Sequence, residues 1–469
     1  MRRRVAAVIT LSVVVLAAQV GLASAAPATG ETLGNQHADL SASITATNAH
    51  SLRAAWFVRT AGPVSATPIF WRDSVLLSDW SGRVWRVNAL TGKTIWQRRL
   101  ETPDTTWPWY GLAGTGVVAD GVLVEVGVEG NAWGLNATTG QTVWGPTYLG
   151  TDPSMTNDPN ARYVGNLSDL LYGGGLVYVG MSSCEEPLAE IDPLFVPTAR
   201  GSIVALDPTT GALAWQTWLT PPGDTGVPVW SSFALDSSTD TLYTDTGNNY
   251  TSPATPLSDA VLALNAATGT PLWDTQLTAN DTWPAHGPDA DFGAGPQLFT
   301  APGPGGTTLR LVGAMQKDGL YTAFDRATGA IVWQRRVASG LNDSRGEASI
   351  GHARLFAWAD GSLRPGSDEV TIAALAPGAG RPIWQRIWAK ANMISDAGFL
   401  SHGVYLVGDG AGALRAYRSS DGELLWHAVT PGHAAVCSSL WVAGRFLYVG
   451  VGLSQRSKLP YGLAAYRVP

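Results

Sequence analysis

The sequence has little charge and almost no cysteine. Only 14% of its 469 residues are charged, against about 25% in an average domain. There are two cysteines, Cys184 and Cys437, and whether they pair is not decided by the sequence. No C-x-x-C-H motif occurs, which excludes a c-type haem attached to this chain. No Cys/His cluster has the spacing of a zinc site.

Long apolar runs are confined to the N-terminus. Residues 1–25 combine Arg2-Arg3-Arg4, an apolar run and Ala23-Ser24-Ala25, a pattern typical of a cleaved secretion signal, with an uncleaved anchor as the alternative. No later segment is apolar enough to span a bilayer. The net charge is −7, and cleavage would remove three Arg and no acid. An acidic chain without a basic patch argues against nucleic-acid binding. We expect a secreted or periplasmic protein of the cell envelope.

Glycine and tryptophan, in contrast, are abundant, with 54 Gly and 20 Trp. Many of them belong to a repeated phrase, in which an Asp or Asn turn precedes Thr-Gly and a Trp follows four residues after the Gly. The Gly supplies the positive φ of a tight hairpin, and the Trp begins the next strand. The phrase occurs at Asn88–Trp96, Asn136–Trp144, Asp207–Trp215, Asn265–Trp273 and Asp325–Trp333, and in weaker form at Ala376–Trp384 and Arg418–Trp426.

The repeat predicts an all-β fold made of one supersecondary unit copied many times. Residues 462–469 form a strand that lacks the rest of its phrase, and residues 51–56 form a Trp strand with no phrase before it. The two ends complement each other, so we predict an eight-bladed β-propeller over residues 51–469, closed by the N-terminal strand. Residues 26–50 are polar and are predicted to be a linker.

The longest intervals between repeat Trp residues are consecutive and run from Trp144 to Trp333. Extra length in loops on a rigid scaffold is where chemistry usually resides. These loops hold Glu185, Asn248 and Asp291. Oxygen ligands of this kind suit a hard cation such as Ca²⁺. Asp and Asn are equally the residues of solvated turns, and the residue types alone leave that reading open.

An ordered set of motifs in these loops carries a resemblance to a known family. The motifs are Ser182-Ser183-Cys184-Glu185-Glu186, Arg200-Gly201-Ser202, Thr246-Gly247-Asn248, Ser258-Asp259-Ala260, Asp281-x-Trp283, Asp289-x-Asp291-Phe292-Gly293 and Gln316-Lys317-x-Gly319. The Trp-Gly phrase resembles the pyrroloquinoline-quinone (PQQ) propeller repeat. The motifs resemble the quinoprotein alcohol dehydrogenases, above all the polyvinyl alcohol dehydrogenase-like branch, over nearly all of the predicted mature chain.

The resemblance implies PQQ and Ca²⁺ as cofactors and a role for individual residues. Trp230 matches the floor on which the flat quinone stacks, and Lys317 matches the cation beside the quinone oxygens. Asp291 looks like the catalytic base and a calcium ligand. The other implied positions are Glu185 (or Glu186 if the register slips by one) and Asn248 as calcium ligands, and Ser182 and Ser183 as polar contacts to the cofactor.

Three features depart from the family pattern. An Arg that is expected in an early blade to contact the cofactor is not evident near residues 110–113. The family carries adjacent cysteines that are expected just before Arg200-Gly201-Ser202, and residues 195–199 hold none. Many relatives have an Asp directly after the Trp of Asp-x-Trp, where this chain has Pro284. For this reason the base is assigned to Asp291.

The function expected from the resemblance is a quinoprotein dehydrogenase. It would oxidise an alcohol, with polymeric or secondary alcohols as candidates, and pass electrons to an external acceptor, a cytochrome or a quinone. The alternative is a propeller without cofactor that acts as a binding or assembly scaffold. A glycan-binding or glycan-cleaving propeller is a weaker third reading, because no pair of acids has a spacing that predicts glycosidase geometry.

Overall fold

The computed structural model describes residues 32–102, 111–150, 164–183, 185, 194–283, 287–339, 346–360, 369–389, 397–452 and 459–469. Within these residues, strands form eight sheets, with short 3₁₀ turns at Ala49–Ser51, Pro304–Gly306 and Pro431–His433. No helix in this part of the chain has the length and apolar character needed to cross a membrane. The predicted signal, residues 1–25, and Cys184 lie outside the described residues, whereas Cys437 is buried.

The strands are short and follow one another through the whole described chain. In chain order they are β1 (Ala38–Asp39), β2 (Arg53–Arg59), β3 (Ile69–Trp71), β4 (Ser74–Asp79), β5 (Arg83–Asn88), β6 (Thr94–Arg99), β7 (Val117–Ala119), β8 (Val122–Val126), β9 (Asn131–Asn136), β10 (Thr142–Tyr148), β11 (Val164–Gly165), β12 (Leu171–Gly173), β13 (Leu176–Ser183), β14 (Ser202–Leu206), β15 (Leu213–Trp218), β16 (Ala234–Asp236) and β17 (Thr241–Asp245). They continue as β18 (Ala260–Asn265), β19 (Pro271–Gln276), β20 (Phe292–Pro302), β21 (Thr308–Gln316), β22 (Leu320–Asp325), β23 (Ile331–Arg336), β24 (Ser349–Gly351), β25 (Arg354–Asp360), β26 (Glu369–Ala376), β27 (Arg381–Ala389), β28 (Phe399–Ser401), β29 (Val404–Gly408), β30 (Ala413–Arg418), β31 (Leu424–Val429), β32 (Trp441–Ala443), β33 (Phe446–Val451) and β34 (Gly462–Arg467).

Each sheet contains one blade of antiparallel strands, and the sheet of blade 7 also includes β1, which pairs in parallel with β28. Blades 1 to 7 are β3–β6, β7–β10, β11–β15, β16–β19, β20–β23, β24–β27 and β28–β31, and blade 8 is β32–β34 with β2. In blade 8, β2 from the start of the domain pairs antiparallel with β34 from its end. The predicted eight-bladed propeller and its closure by the N-terminal strand are therefore confirmed.

The Trp of the repeat joins neighbouring blades. In every blade its indole N–H donates to a backbone carbonyl of the next blade, at distances from 2.8 to 3.3 Å. For seven of these eight Trp residues the ring also lies on the Gly turn of the next blade. For example, Gly92 has φ +69°, and a Cβ at this position would lie 2.7 Å from Cε3 of Trp56. Trp426 completes the circle by donating to the carbonyl of Leu52. The phrase is thus both a hairpin and the contact between blades.

The strand alternation decides where the loops meet. Within a blade, the second strand ends on the same side as the fourth, because successive strands are antiparallel. The loop after the second strand and the loop leading into the next blade therefore share one face of the ring. Asn248, Asp291 and Lys317 all lie in loops of this kind, in blades 4 and 5.

Candidate active site

The pairing of two strands brings Asp291 and Lys317 together. Asp291 directly precedes β20, and Lys317 directly follows β21. These strands are antiparallel neighbours, and Phe292 is opposite Gln316. The next residue pair in this register is Asp291 and Lys317, and the backbone N–H of Lys317 donates to the carbonyl of Asp291 at 2.9 Å. The two motifs that hold these residues are thus parts of one hairpin.

The Asp291 carboxylate is held on both sides. Its Oδ1 lies 2.6 Å from Nζ of Lys317, and its Oδ2 accepts a hydrogen bond of 3.1 Å from Nε1 of Trp230. The side chains of Asp291 and Lys317 are 1% and 8% exposed. Nζ of Lys317 also lies 5.2 Å from the centroid of the Trp230 ring, within the range of a cation–π contact. A buried carboxylate, a cation and a half-buried indole therefore form one cluster.

Asp289 also belongs to this cluster, although the sequence assigned it no role. Its Oδ1 lies 2.8 Å from Nζ of Lys317, and its side chain is 31% exposed. Lys317 thus sits between two carboxylates with different access to solvent. The signal for Asp289 was present in the Asp289-x-Asp291 motif, but the spacing does not reveal that both acids contact one amino group.

A second pair of buried polar groups lies beside Asp291. Nδ2 of Asn248 donates to Oδ1 of Asp259 at 3.3 Å, and both residues are fully buried. Oδ1 of Asn248 and Oδ2 of Asp259 have no hydrogen-bond partner among the described residues. A Cβ on Gly247 would lie 2.9 Å from Oδ2 of Asp291, so the chain at Asn248 passes directly against that carboxylate.

The pKa of Asp259 reflects its buried position next to other acids. Burial, and after it the charges of Asp291 and Asp281, raise the pKa of Asp259 to about 9, against the opposing effects of a hydrogen bond from Ser258 and the charge of Lys317. A buried carboxyl next to other acids favours either a proton or a nearby cation. The sequence quoted Asp259 within a motif but gave it no ligand role.

Glu185 lies in blade 3 and its carboxylate has partners of its own. Oε2 accepts hydrogen bonds from the backbone of Thr198 and Ala199 at 3.0 and 2.8 Å, and Oε1 accepts one from Oγ1 of Thr198. The carbonyl of Ala199 in turn accepts from Gly226. Glu185 therefore anchors a loop of the site face. The other candidate ligand of this pair, Glu186, lies outside the described residues.

Ser182 and Ser183 end strand β13 beside Glu185. They pair with the short strand β11, and both are buried. Oγ of Ser183 accepts a hydrogen bond of 3.2 Å from the backbone of Glu185 and lies 3.5 Å from the hydroxyl of Tyr250. The structure thus divides the candidates into two groups. One joins Trp230, Asn248, Asp291 and Lys317, and the other joins Ser182, Ser183 and Glu185.

The residues present fit a hard cation. If only His, Cys, Asp and Glu are counted, the described residues contain no group of three or more arranged to hold a metal ion. The set at this site also includes an amide: within the part of the chain that the structure describes, Asn248 and Asp259 each present a buried oxygen that has no hydrogen-bond partner, next to Asp291. Amide and carboxylate oxygens are the donors that Ca²⁺ prefers.

The chain is similar to quinone-dependent alcohol dehydrogenases. A family model described as the β-propeller domain of glucose/ethanol/alcohol dehydrogenase matches residues 218–340. A second, described as outer membrane protein assembly factor BamB, matches residues 14–181, 111–249 and 368–451. Together the matches of the second model cover more than half of the chain.

Curated relatives agree with these matches. A polyvinylalcohol dehydrogenase of Sphingopyxis sp. (strain 113P3) is 26% identical, with 87% of this chain and 69% of the relative covered. A polyvinylalcohol dehydrogenase of Pseudomonas sp. is also 26% identical, with 82% of this chain and 64% of the relative covered. The chain thus spans about two thirds of the length of these relatives.

The fold is shared with solved structures of such enzymes. The quinohemoprotein alcohol dehydrogenase ADHIIG from Pseudomonas putida HK5 superposes with a TM-score of 0.77 at 17% identity, covering 95% of this chain and 80% of that one. At this identity the likeness concerns the fold. With the repeat, the eight blades and the family models in agreement, the chain belongs to the PQQ-type β-propeller family.

Proposed function

We propose that this protein is an exported quinoprotein dehydrogenase that oxidises an alcohol with PQQ and Ca²⁺ and passes the electrons to an external cytochrome or quinone. The observation that carries the proposal is the Asp291 carboxylate, buried and held between Nζ of Lys317 and Nε1 of Trp230. The family relation supports the quinone and the alcohol as classes. Polyvinyl alcohol or another polymeric or secondary alcohol is the candidate substrate.

The residues divide the chemistry between them. Trp230 offers a flat, half-buried ring for stacking, with its indole edge fixed by Asp291. When bound, the quinone would accept the electrons of the alcohol, and the calcium ion would act as a Lewis acid on the quinone. Asn248, Asp259 and Asp291 would hold the ion through their oxygens, and Glu185 is a further candidate. The amino group of Lys317 stabilises negative charge that develops beside the Trp230 ring.

Asp291 has the position expected of a general base. A carboxylate can accept the proton of an alcohol hydroxyl when it is ionised and within hydrogen-bond reach. The positive charge of Lys317 at 2.6 Å favours the ionised form. The bond from Trp230 fixes the other oxygen, so that the carboxylate keeps one orientation relative to the ring.

A titration tests the proposal. Purified protein is titrated with PQQ in the presence of Ca²⁺ or of a chelator, and quinone absorbance and Trp fluorescence are followed. Saturable, Ca²⁺-dependent binding with Trp quenching is expected. Trp230→Phe should weaken binding and remove part of the quenching, whereas the matched variant Trp273→Phe, in the blade interface, should retain both. Absence of saturable binding in the unaltered protein would overturn the proposal.

Two observations favour a second candidate, a propeller without cofactor that acts as a binding scaffold. The model of an outer membrane assembly factor matches much of the chain, and residues 195–199 hold no adjacent cysteines. For such a scaffold the titration would give no Ca²⁺-dependent quinone binding. Variants of Asp291 would then have the same effect on stability and on partner binding with Ca²⁺ as without it.

A further inference from the structure

The segment before the propeller runs along the inner strands of the ring. We call residues 33–44 the N-terminal strap. Backbone carbonyls of four of its residues accept hydrogen bonds from the first strands of blades 4, 5, 6 and 7, namely Leu33 from Leu235, Gly34 from Leu298, Gln36 from Ile350 and His37 from Leu400. Residues Ala38–Asp39 then pair in parallel with β28. This part of the predicted linker is therefore bound to the blades.

The strap lies at the centre of the ring. Its contacts with four consecutive blades are made within five consecutive residues, and an extended chain advances about 3.5 Å per residue. Such a short segment can reach four blades only where their edges converge. First strands are the inner edges of propeller blades, which surround a central channel. The strap thus follows the wall of that channel.

Two strap side chains point into a buried polar cluster. Asn35 and His37 are fully buried, and both have left-handed backbone, with φ of +53° and +46°. His37 Nε2 is hydrogen-bonded to Oε2 of Glu347, and Nδ2 of Asn35 donates to the same oxygen at 3.1 Å. Residues other than glycine rarely adopt left-handed backbone, and they keep it where surrounding contacts hold them in place.

The cluster continues to the segment that carries Trp230. Nδ2 of Asn35 donates to Oγ of Ser232 at 2.7 Å, and Ser232 in turn donates to Oε1 of Glu347. Glu347 is buried, and although burial raises its pKa, the charge and hydrogen bond of His37 bring that pKa below its ordinary value. Ser232 is two residues from Trp230, whose indole contacts Asp291. A chain of buried polar contacts thus connects the strap to the candidate site.

We propose that Asn35 and His37 are positioning residues of the candidate site, which hold Glu347 and Ser232 and thereby fix the Trp230 ring. The proposal deepens the proposed function and rests on it for the meaning of Trp230. The opposite end of the segment is fixed independently, since Gly247 donates to the carbonyl of Pro228 at 2.8 Å. The strap therefore supports the ring from the other end of this segment, through Ser232.

Two variants each remove the polar group of one side chain from this cluster. Ser232→Ala deletes the hydroxyl that joins the segment carrying Trp230 to Glu347, while Oε1 of Glu347 keeps the N–H of Gly295 at 3.1 Å. Asn35→Gly removes the amide but tolerates the left-handed backbone. The matched control is Ser401→Ala, because the hydroxyl of Ser401 is also buried and donates to the strap at the carbonyl of Ile44, 2.7 Å away, in blade 7.

The first readout needs no cofactor. Acrylamide quenching of Trp fluorescence is measured in the apoprotein. The contribution of Trp230 is obtained by subtracting the signal of the same variant that also carries Trp230→Phe. We expect Trp230 to become more accessible in Ser232→Ala and Asn35→Gly, and to be unchanged in Ser401→Ala. Ser232→Thr, which restores a hydroxyl, should return the quenching to that of the unaltered protein.

The second readout is the dissociation constant for PQQ with Ca²⁺, together with the melting temperature. If the support of the ring weakens by the free energy of about one buried hydrogen bond, the affinity of the two cluster variants falls about three- to tenfold. Their melting temperatures should be no lower than that of Ser401→Ala. Equal quenching of Trp230 in all variants would overturn the positioning role. If the unaltered protein binds no PQQ, the proposed function fails, whereas the quenching experiment still decides the positioning role.

Discussion

The amino group of Lys317 lies 2.6 Å from Oδ1 of Asp291, and both side chains are more than nine-tenths buried. A buried carboxylate without a partner is costly, so the pair explains how Asp291 can remain ionised away from bulk solvent. Asp289, on the solvent side of the same amino group, is 31% exposed. The two acids therefore differ in their surroundings: Asp291 is buried and contacts Trp230, whereas Asp289 is a second, more exposed carboxylate on Lys317.

Replacing the proposed base should slow turnover strongly and spare cofactor binding. We expect Asp291→Asn to lower kcat for an alcohol by about 10²–10⁴-fold, because the amide cannot accept the hydroxyl proton. The control is Asp289→Asn, which keeps the Asp291–Trp230 contact and should lose far less. Steady-state kinetics with a dye acceptor and a PQQ titration make the comparison. Unchanged turnover in Asp291→Asn would show that the base is another residue.

Removing the positive charge of Lys317 should destabilise the fold, because Asp291 then lacks its charge partner. Lys317→Gln leaves a buried carboxylate without its charge partner, for which the expected loss is about 3–5 kcal/mol in the free energy of unfolding. Adding Asp291→Asn to Lys317→Gln should recover part of that loss. Urea unfolding of the four proteins in this cycle measures the coupling. Additive effects of the two substitutions would mean that the pair does not interact as described.

Calcium should stabilise the protein through Asn248 and Asp259. A ligand that binds the folded state at 100 times its Kd contributes about 2.7 kcal/mol. We therefore expect Ca²⁺ to raise the melting temperature, and expect Asn248→Ala and Asp259→Asn to remove this rise. Asp207→Asn is the control for the acid, since Asp207 lies in a turn of the repeat, where its carboxylate accepts hydrogen bonds from the backbone of Thr209 and Thr210. An equal rise in all variants would place the ion elsewhere.

Stability should fall as pH rises because of Glu125. This residue in β8 is buried, and burial raises its pKa to about 8, against an opposing hydrogen bond from Ser78. Between the pKa of the unfolded chain and that of the fold, the native state holds a proton that the unfolded state has lost. Its contribution to stability is therefore complete in acid and decreases by up to about 1.4 kcal/mol per pH unit until pH passes about 8.

Glu125→Gln should flatten this dependence. Its free energy of unfolding is expected to change less between pH 5 and pH 8 than that of the unaltered protein. The exposed Glu423→Gln serves as the control and should retain the slope. Urea denaturation at several pH values gives the comparison, and parallel curves for all three proteins would refute the assignment to Glu125.

The blades could be predicted because their signals are local. The Asp or Asn turn, the Gly with positive φ and the Trp lie within nine residues, and each copy forms the same hairpin. The incomplete phrases at the two ends predicted the pairing of β2 with β34 for the same reason. The phrase did not reveal that its Trp packs on the turn of the next blade, as Trp56 packs on Gly92. That contact depends on how the blades are arranged.

The site was predicted in part. The sequence by itself determined which residue types stand at the ends of which strands, and therefore that Asn248, Asp291 and Lys317 share a face. Only the tertiary structure decided their partners: Asp259 beside Asn248, Thr198 and Ala199 on Glu185, and Asn35 and His37 beneath the segment of Trp230. The physical reason is distance along the chain. A hairpin is set by a few adjacent residues, whereas a buried polar contact across hundreds of residues exists only once the ring has closed and brought its inner edges together.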